Sequence, residues 1–220
     1  MLKQLKNTIK EKKFAKSQAY LFKQKGSLLN AFSTSKTIFI HIPKTAGMSL
    51  AQAIYGDVVG SAHRKVSFFR YILKKELDDY FKFCFVRDPY DRLYSAYKFL
   101  EKGGVNQHDK RAFDKFLSRY KNFEDFVING LSNKVMNEII HLVPQIDFIC
   151  DKKGKILVDY IGKFENLQIE IKTLSEKLNK EIILSHLNLN KKKSFDKVFT
   201  DKMRKRVRKL YAKDFEILGY

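Results

Sequence analysis

Two rhythms of apolar residues alternate along this chain, short unbroken runs and helical spacing, and together they predict strands that feed helices. Residues 37–42, TIFIHI, are a β-branched apolar run of buried-strand character. Pro43 ends the run, because proline has no N–H to give a ladder. Lys44, Thr45, Ala46 and Gly47 predict a tight turn, and Leu50, Ala51, Ala53 and Ile54 continue at helical spacing. The plan repeats at residues 82–96, KFCFVRDPYDRLYSA. There Phe83, Cys84, Phe85 and Val86 form the strand, Asp88 is a natural N-cap, and Pro89 suits the first helical position. Leu93, Tyr94, Tyr97 and Leu100 then recur at helical spacing.

The flanking segments fill out the same picture. Residues 1–36 carry Lys3, Lys6, Lys10, Lys12, Lys13 and Lys16, with Leu2, Leu5, Ile9 and Phe14 at roughly helical intervals. A basic amphipathic helix of this kind packs on its domain, frays, or lies on an anionic membrane surface. Phe113, Phe116, Leu117, Phe123, Phe126, Val127 and Leu131 predict packing helices over residues 112–140. Pro144, Gln145, Phe148 and Ile149 begin a strand-like run, and residues 151–154, DKKG, read as a hairpin turn. Residues 158–164 predict a further strand, and Ile169, Ile171, Leu174 and Leu178 a helix opened by Glu165, Asn166 and Leu167. Residues 203–210 read as a terminal helix, with Tyr211, Phe215, Ile217 and Leu218 docking the end of the chain. The expectation is an α/β fold with a central, mostly parallel sheet flanked by helices. A basic segment, 1–36, precedes one domain, 37–220.

Charge narrows the partners without choosing one. The chain has 44 Lys and Arg against 24 Asp and Glu, a formal net charge of +20, which favours anionic partners. Nucleic acid, acidic glycan, a phospholipid surface and a polyanionic nucleotide all satisfy it. Two cysteines, Cys84 and Cys150, indicate no disulfide framework and point to a reducing compartment. No run reaches the roughly 18–20 apolar residues that span a bilayer. The basic N-terminus has no apolar core of signal-peptide type.

The first strand–turn–helix is an anion site in outline. Turn amides and a helix N-terminus favour negative charge, and Lys44 adds a full positive one. The order is not that of a Walker A loop, since Lys44 precedes Gly47. Arg87 stands at the end of the second strand, where ligands bind in open α/β sheets. Ser95 follows about two turns into the helix and shares an anion with Arg87 if the helix passes close by. The alternative makes Arg87 a partner of Asp88 or Asp91. His63 is the candidate general base, because an imidazole titrates near neutral pH; the alternative is a surface histidine beside Arg64 and Lys65. His41, His108, His141 and His186 are weaker candidates, and no two form a metal-ligand pair. The expectation is therefore no metal site.

FIHIPKTAGMSL followed by FCFVRDPYDRLYSAY resembles the sulfotransferase family that includes the heparan sulfate 2-O- and 6-O-sulfotransferases and bacterial carbohydrate sulfotransferases. The likeness continues through VPQIDFICDKKGKILVDYIGKFENL to the C-terminal VRKLYAKDFEILGY. It implies a P-loop-like three-layer fold and the sulfuryl donor PAPS (3′-phosphoadenosine 5′-phosphosulfate). By the resemblance, Lys44, Thr45, Ala46, Gly47, Met48 and Ser49 hold the phosphosulfate end, while Arg87 and Ser95 hold the 3′-phosphate. Lys44 is also catalytic, His63 is the base with Glu165 as runner-up, and the acceptor is a carbohydrate hydroxyl. The helices over 112–140 then wall the acceptor cleft. Met48 departs from the family, which usually has threonine there. Lys191, Lys192 and Lys193 close over the nucleotide, bind an acidic acceptor, or are a solvated charge run. A Golgi member would carry an N-terminal anchor, so the expectation is a bacterial cytoplasmic enzyme, with possible membrane contact through its basic N-terminus. Two other readings stay open. A nucleotide kinase would require a Walker A order and an acidic magnesium ligand, and a nucleic-acid-binding protein would explain the charge alone.

Overall fold

A computed structural model describes residues 2–57, 63–151, 153–184 and 197–220, with side chains from residue 8 onward. Val58 to Ala62, His186 and the Lys191, Lys192 and Lys193 cluster lie outside the described residues. The chain is α/β, as the apolar rhythm predicts. Its contacts group into two compact units. The first takes the described residues of Met1–Ile42, Ala46–Phe85 and Asp147–His186; the second takes those of Pro43–Thr45, Val86–Ile146 and Leu187–Tyr220.

The first unit is built on β1 (Thr37–Ile40). Ahead of it stand α1 (Leu2–Ser17) and α2 (Leu28–Ser35). Ser27 caps α2 by accepting from the Asn30 N–H at 3.1 Å. The basic N-terminal helix α1 packs against the helix after His63, with Phe14 and Phe68 ring centroids 6.1 Å apart and Ala15 fully buried. After β1 come α3 (Gly47–Tyr55) and α4 (Val66–Leu73), then β2 (Phe81–Val86). β1 and β2 pair in parallel with Phe39 opposite Phe83 and Ile40 opposite Cys84. Ile38, Ile40, Phe83, Cys84 and Phe85 are fully buried, which is why both runs are continuously apolar.

β3 (Tyr160–Lys163) completes a three-stranded sheet among the described residues, in the order β1–β2–β3. Asp159 ties it on. Its N–H donates to the Lys82 carbonyl at 2.7 Å, and its carboxylate accepts from the Lys82 N–H at 2.7 Å and from the Lys82 ammonium at 2.9 Å. A lysine inside a buried strand is tolerable because this partner comes with it.

The second unit starts with α5 (Pro89–Glu101), capped by Asp88 and opened by Pro89 as expected. It continues through α6 (Gln107–Phe116), α7 (Phe123–Asp125), a π-turn at Phe126–Gly130 and α8 (Asn133–Glu138). Leu93, Tyr97, Leu100, Phe126, Val127 and Leu131 form its core.

Two strand expectations give way. The run from Pro144 is not a strand: Ile146–Ile149 is a short helix, α9. Asp214 accepts from the Gln145 and Ile146 N–H groups at 2.9 and 3.0 Å, so two amides that a ladder would use are bound to a side chain instead. The turn expected at residues 151–154 is present among the described residues: the Gly154 N–H donates to the Asp151 carbonyl at 3.0 Å, and beyond it Cys150 bridges Ile156 antiparallel, with the Leu157 N–H donating to the Ile149 carbonyl at 2.9 Å. The strand expected over 158–164 shortens to β3 and is followed by α10 (Leu167–Leu178). The chain ends in α11 (Asp201–Leu210) and α12 (Ala212–Leu218), with Phe215 and Leu218 buried.

Candidate active site

The loop after β1 is held in an unusual backbone state. Lys44 has φ +72° and Ala46 φ +61°, both in the left-handed region that costs a non-glycine residue about 1–2 kcal/mol. Ala46 is also the N-cap residue of α3, and it supplies no side-chain cap. Backbone strain of this kind clusters at ligand-binding and active sites. Thr45 is fully buried, Ser49 half-buried, and Met48 64% exposed at the first turn of α3.

Within the first unit, Gly47 is required for space and not for its dihedral angle. A Cβ there would lie 1.9 Å from Cδ2 and 2.0 Å from Nε2 of His41. The buried His41 ring is fixed on both sides, stacked on Phe39 at 5.6 Å and packed on His63 at 4.3 Å. His63 Nδ1 lies 3.1 Å from the His41 carbonyl oxygen. A carbonyl only accepts, so Nδ1 carries the proton and neutral His63 keeps its lone pair on Nε2. That is the tautomer a general base needs.

Within the second unit Lys44 and Arg87 are in direct contact. The Arg87 guanidinium donates to the Lys44 carbonyl at 3.1 Å. It also forks onto Asp91, at 2.8 Å from Nε and 2.7 Å from Nη2. Asp91 is thus the partner that the alternative reading gave Arg87, and the arginine clamps the lysine loop as well. Gln145 holds the Arg87 backbone from both sides, accepting its N–H at 2.9 Å and donating to its carbonyl at 2.7 Å. Ser95 sits half-buried on α5. Glu165 lies in a 3₁₀ turn before α10, in the first unit.

Lys44 itself is electrostatically poised. Its ammonium lies 4.0 Å from the Phe99 ring centroid. Burial, reinforced by the Arg87 charge and opposed by Asp109, brings its pKa down to about 8. His141, a weak candidate in the sequence, is paired: its Nε2 lies 2.9 Å from Asp109 Oδ1, and both side chains are buried. Burial pushes the His141 pKa down, against the hydrogen bond and charge of Asp109. Gln145 and Asp109 are the residues that sequence reasoning passed over, and His141 is one it ranked low. His108 lies exposed on α6. Among the described residues no cluster of His, Cys, Asp or Glu has the arrangement of a metal site, and no helix is long and apolar enough to cross a membrane. Neither Cys84 nor Cys150 is in a disulfide.

Comparison with known proteins agrees with the motifs. Residues 29–220 match the sequence model of the sulfotransferase family. Carbohydrate sulfotransferase 10 of Mus musculus is 24% identical over 188 residues, covering 71% of this chain and 51% of that protein. Carbohydrate sulfotransferase 10 of Gallus gallus is 26% identical over 176 residues, covering 67% and 49%. The chain therefore spans about half the length of the curated relatives it matches. No solved structure matches it significantly. With the match running through both strand–turn–helix motifs and on to the last residue, this chain belongs to the sulfotransferase family.

Proposed function

We propose that this protein transfers a sulfuryl group from PAPS to a hydroxyl of a carbohydrate. One observation carries the reading: the family match contains both motifs, whose lysine and arginine are hydrogen-bonded to each other. The relatives' names supply the carbohydrate. The residues suit the donor: a strained loop, a helix start without a side-chain cap, and a half-buried lysine whose charge persists at neutral pH all favour a polyanion.

PAPS supplies an activated sulfuryl group whose leaving group is a phosphate. Lys44 places positive charge where the bridging oxygen gains electrons as its bond to sulfur breaks. A preorganised donor of this type is worth about 3–4 kcal/mol in other enzymes. His63 Nε2 takes the proton of the acceptor hydroxyl as the new sulfur–oxygen bond forms, in line with the breaking one. Thr45, Ala46, Gly47, Met48 and Ser49 hold the 5′ end mainly through the backbone, since Met48 brings no hydroxyl and the Thr45 side chain is buried. Arg87 and Ser95 select the 3′-phosphate, with Asp91 yielding part of its hold on the guanidinium.

The test is transfer of labelled sulfate from PAPS to a panel of glycans, with a metal chelator present. Transfer that needs magnesium and ATP would point to a kinase, and salt-sensitive DNA binding without PAPS binding to a nucleic-acid protein. Arg87→Ala is expected to weaken 3′,5′-ADP binding about 10- to 100-fold while leaving 5′-AMP binding nearly unchanged. Equal losses for the two nucleotides would remove its assigned role. His63→Ala is expected to reduce turnover about 10²- to 10⁴-fold at nearly constant donor affinity.

A further inference from the structure

In the second unit a column of side chains runs inward from the lysine loop. The Lys44 ammonium sits over Phe99. The far neighbour of Phe99 is His141, with ring centroids 4.8 Å apart. His141 in turn donates from Nε2 to Asp109 Oδ1, 2.9 Å away. The end of the column is firmly built. Asp109 Oδ2 accepts from the Val105 N–H at 3.1 Å, and the Asp109 N–H donates to Asn106 at 3.0 Å. Gly104, at φ +66°, lies so close that a Cβ would stand 2.1 Å from the Asp109 Cβ. The buried Arg92 guanidinium donates to the His141 carbonyl at 3.3 Å and the Val143 carbonyl at 2.7 Å, fixing the segment that carries the histidine.

Charge gives this column a direction. Its components are the cations Lys44, Arg87 and Arg92, the carboxylates Asp91 and Asp109, and the titratable His141. The fork on Asp91 offsets the Arg87 charge. His141 sits in surroundings that favour its neutral form, since burial, Lys44 and Arg92 all oppose a second proton. A neutral imidazole donates its Nε2–H to Asp109 but leaves the carboxylate's negative charge uncancelled. A buried ion needs a counter-charge, and Lys44 is the cation on whose ionisation Asp109 acts.

We infer that Asp109, held by His141, whose ring packs on Phe99, is the positioning residue for Lys44: it keeps the lysine charged, and the Phe99 ring aims it. This rests on the assignment of Lys44 to sulfuryl transfer. His141 serves as the neutral spacer that orients the carboxylate. None of the three is asked to touch the donor.

The experiment reads Lys44 directly and needs neither donor nor acceptor. Lysines are reductively ¹³C-dimethylated, which preserves their charge, and the Lys44 signal is identified as the one missing from Lys44→Arg. In the wild type this signal is expected upfield of the bulk lysines, from the ring current of Phe99, and its titration midpoint is expected near 8. In Asp109→Asn the midpoint is expected to move to lower pH, because the charge that favours the ammonium is gone. For each unit of that movement, turnover at pH 9 falls about tenfold while turnover at pH 6 changes little. In His141→Gln, which keeps an N–H for Asp109, the midpoint is expected to stay near the wild-type value. A Lys44 signal among the bulk lysines in the wild type would overturn the inference, even if Asp109→Asn failed to fold. So would an unchanged midpoint, or an equal loss of turnover at every pH, in folded Asp109→Asn. A protein that shows the expected shifts yet transfers no sulfate would refute the proposed function and leave the column standing.

Discussion

The turns that follow β1 and β2 are built from the same plan and in opposite ways. After β2 the backbone is relaxed. Asp88 accepts from the Tyr90 and Asp91 N–H groups at 2.8 and 3.0 Å, and Pro89 presets the helix. The α5 start is satisfied by its own sequence, and any part it plays in ligand binding falls to the Arg87 side chain. After β1 the backbone is strained at Lys44 and Ala46, the α3 start has no side-chain cap, and a histidine ring occupies the space beside Gly47. One turn is optimised for stability and the other is not. An anion site built from the helix-start backbone needs the second kind, because a helix start already capped by its own carboxylate repels the charge it would bind.

The largest way to break the strained turn is Gly47→Ala. The new methyl would overlap a ring that Phe39 and His63 hold in place. We expect a loss of about 3 kcal/mol in urea unfolding, at the upper end of overpacking costs. Because the His41 carbonyl also fixes the His63 tautomer, turnover should fall by more than folding alone explains. A stability equal to wild type would mean that His41 has room to move.

Lys44→Met should act in the opposite direction. The half-buried ammonium is a liability for folding, since its pKa is held at about 8 against an ordinary 10.5. The unfolded chain therefore holds this proton up to pH 10.5 while the folded one loses it near 8, and wild-type stability rises between those values. Removing the charge should stabilise the protein by about 2 kcal/mol at pH 7, after allowance for solvent contact and the lost Phe99 interaction. The gain should fade between pH 8 and 10.5 and sulfuryl transfer should be lost. Thermal melts at pH 7 and 10 check it; an unchanged difference between the two would show that the lysine is not strained by burial.

The contrast between the turns also marks what a sequence discloses. β1, β2, the Asp88 cap and the Pro89 start were legible because each rests on residues close together in the chain. The Arg87 pairing with Asp91 was legible as one of two options, for the same reason. Gln145 was not. It grips Arg87 from 58 positions away, and an isolated glutamine in an apolar run carries no local sign of a partner. Asp109 and His141 are 32 positions apart and failed the same way. The strand expected from Pro144 failed because a short apolar run does not distinguish strand from helix, and the distant Asp214 decided it.

The smallest effects test the comparison most directly, because they pair one substitution in each turn. Asp88→Ala removes a cap that satisfies two amides and should cost about 1 kcal/mol. Asp88→Asn keeps an acceptor and should cost only a fraction of that. Ala46→Gly should gain about 1 kcal/mol, since glycine enters the left-handed region without a clash. Both act on a helix start, both are read by the same denaturant midpoint, and their signs are opposite. If Ala46→Gly also lowers transfer while Asp88→Asn does not, the strain at Ala46 serves to hold the loop in one conformation. If Ala46→Gly were destabilising, the left-handed geometry would have to be held by contacts of its methyl group, and the α3 start could no longer be regarded as the strained member of the pair.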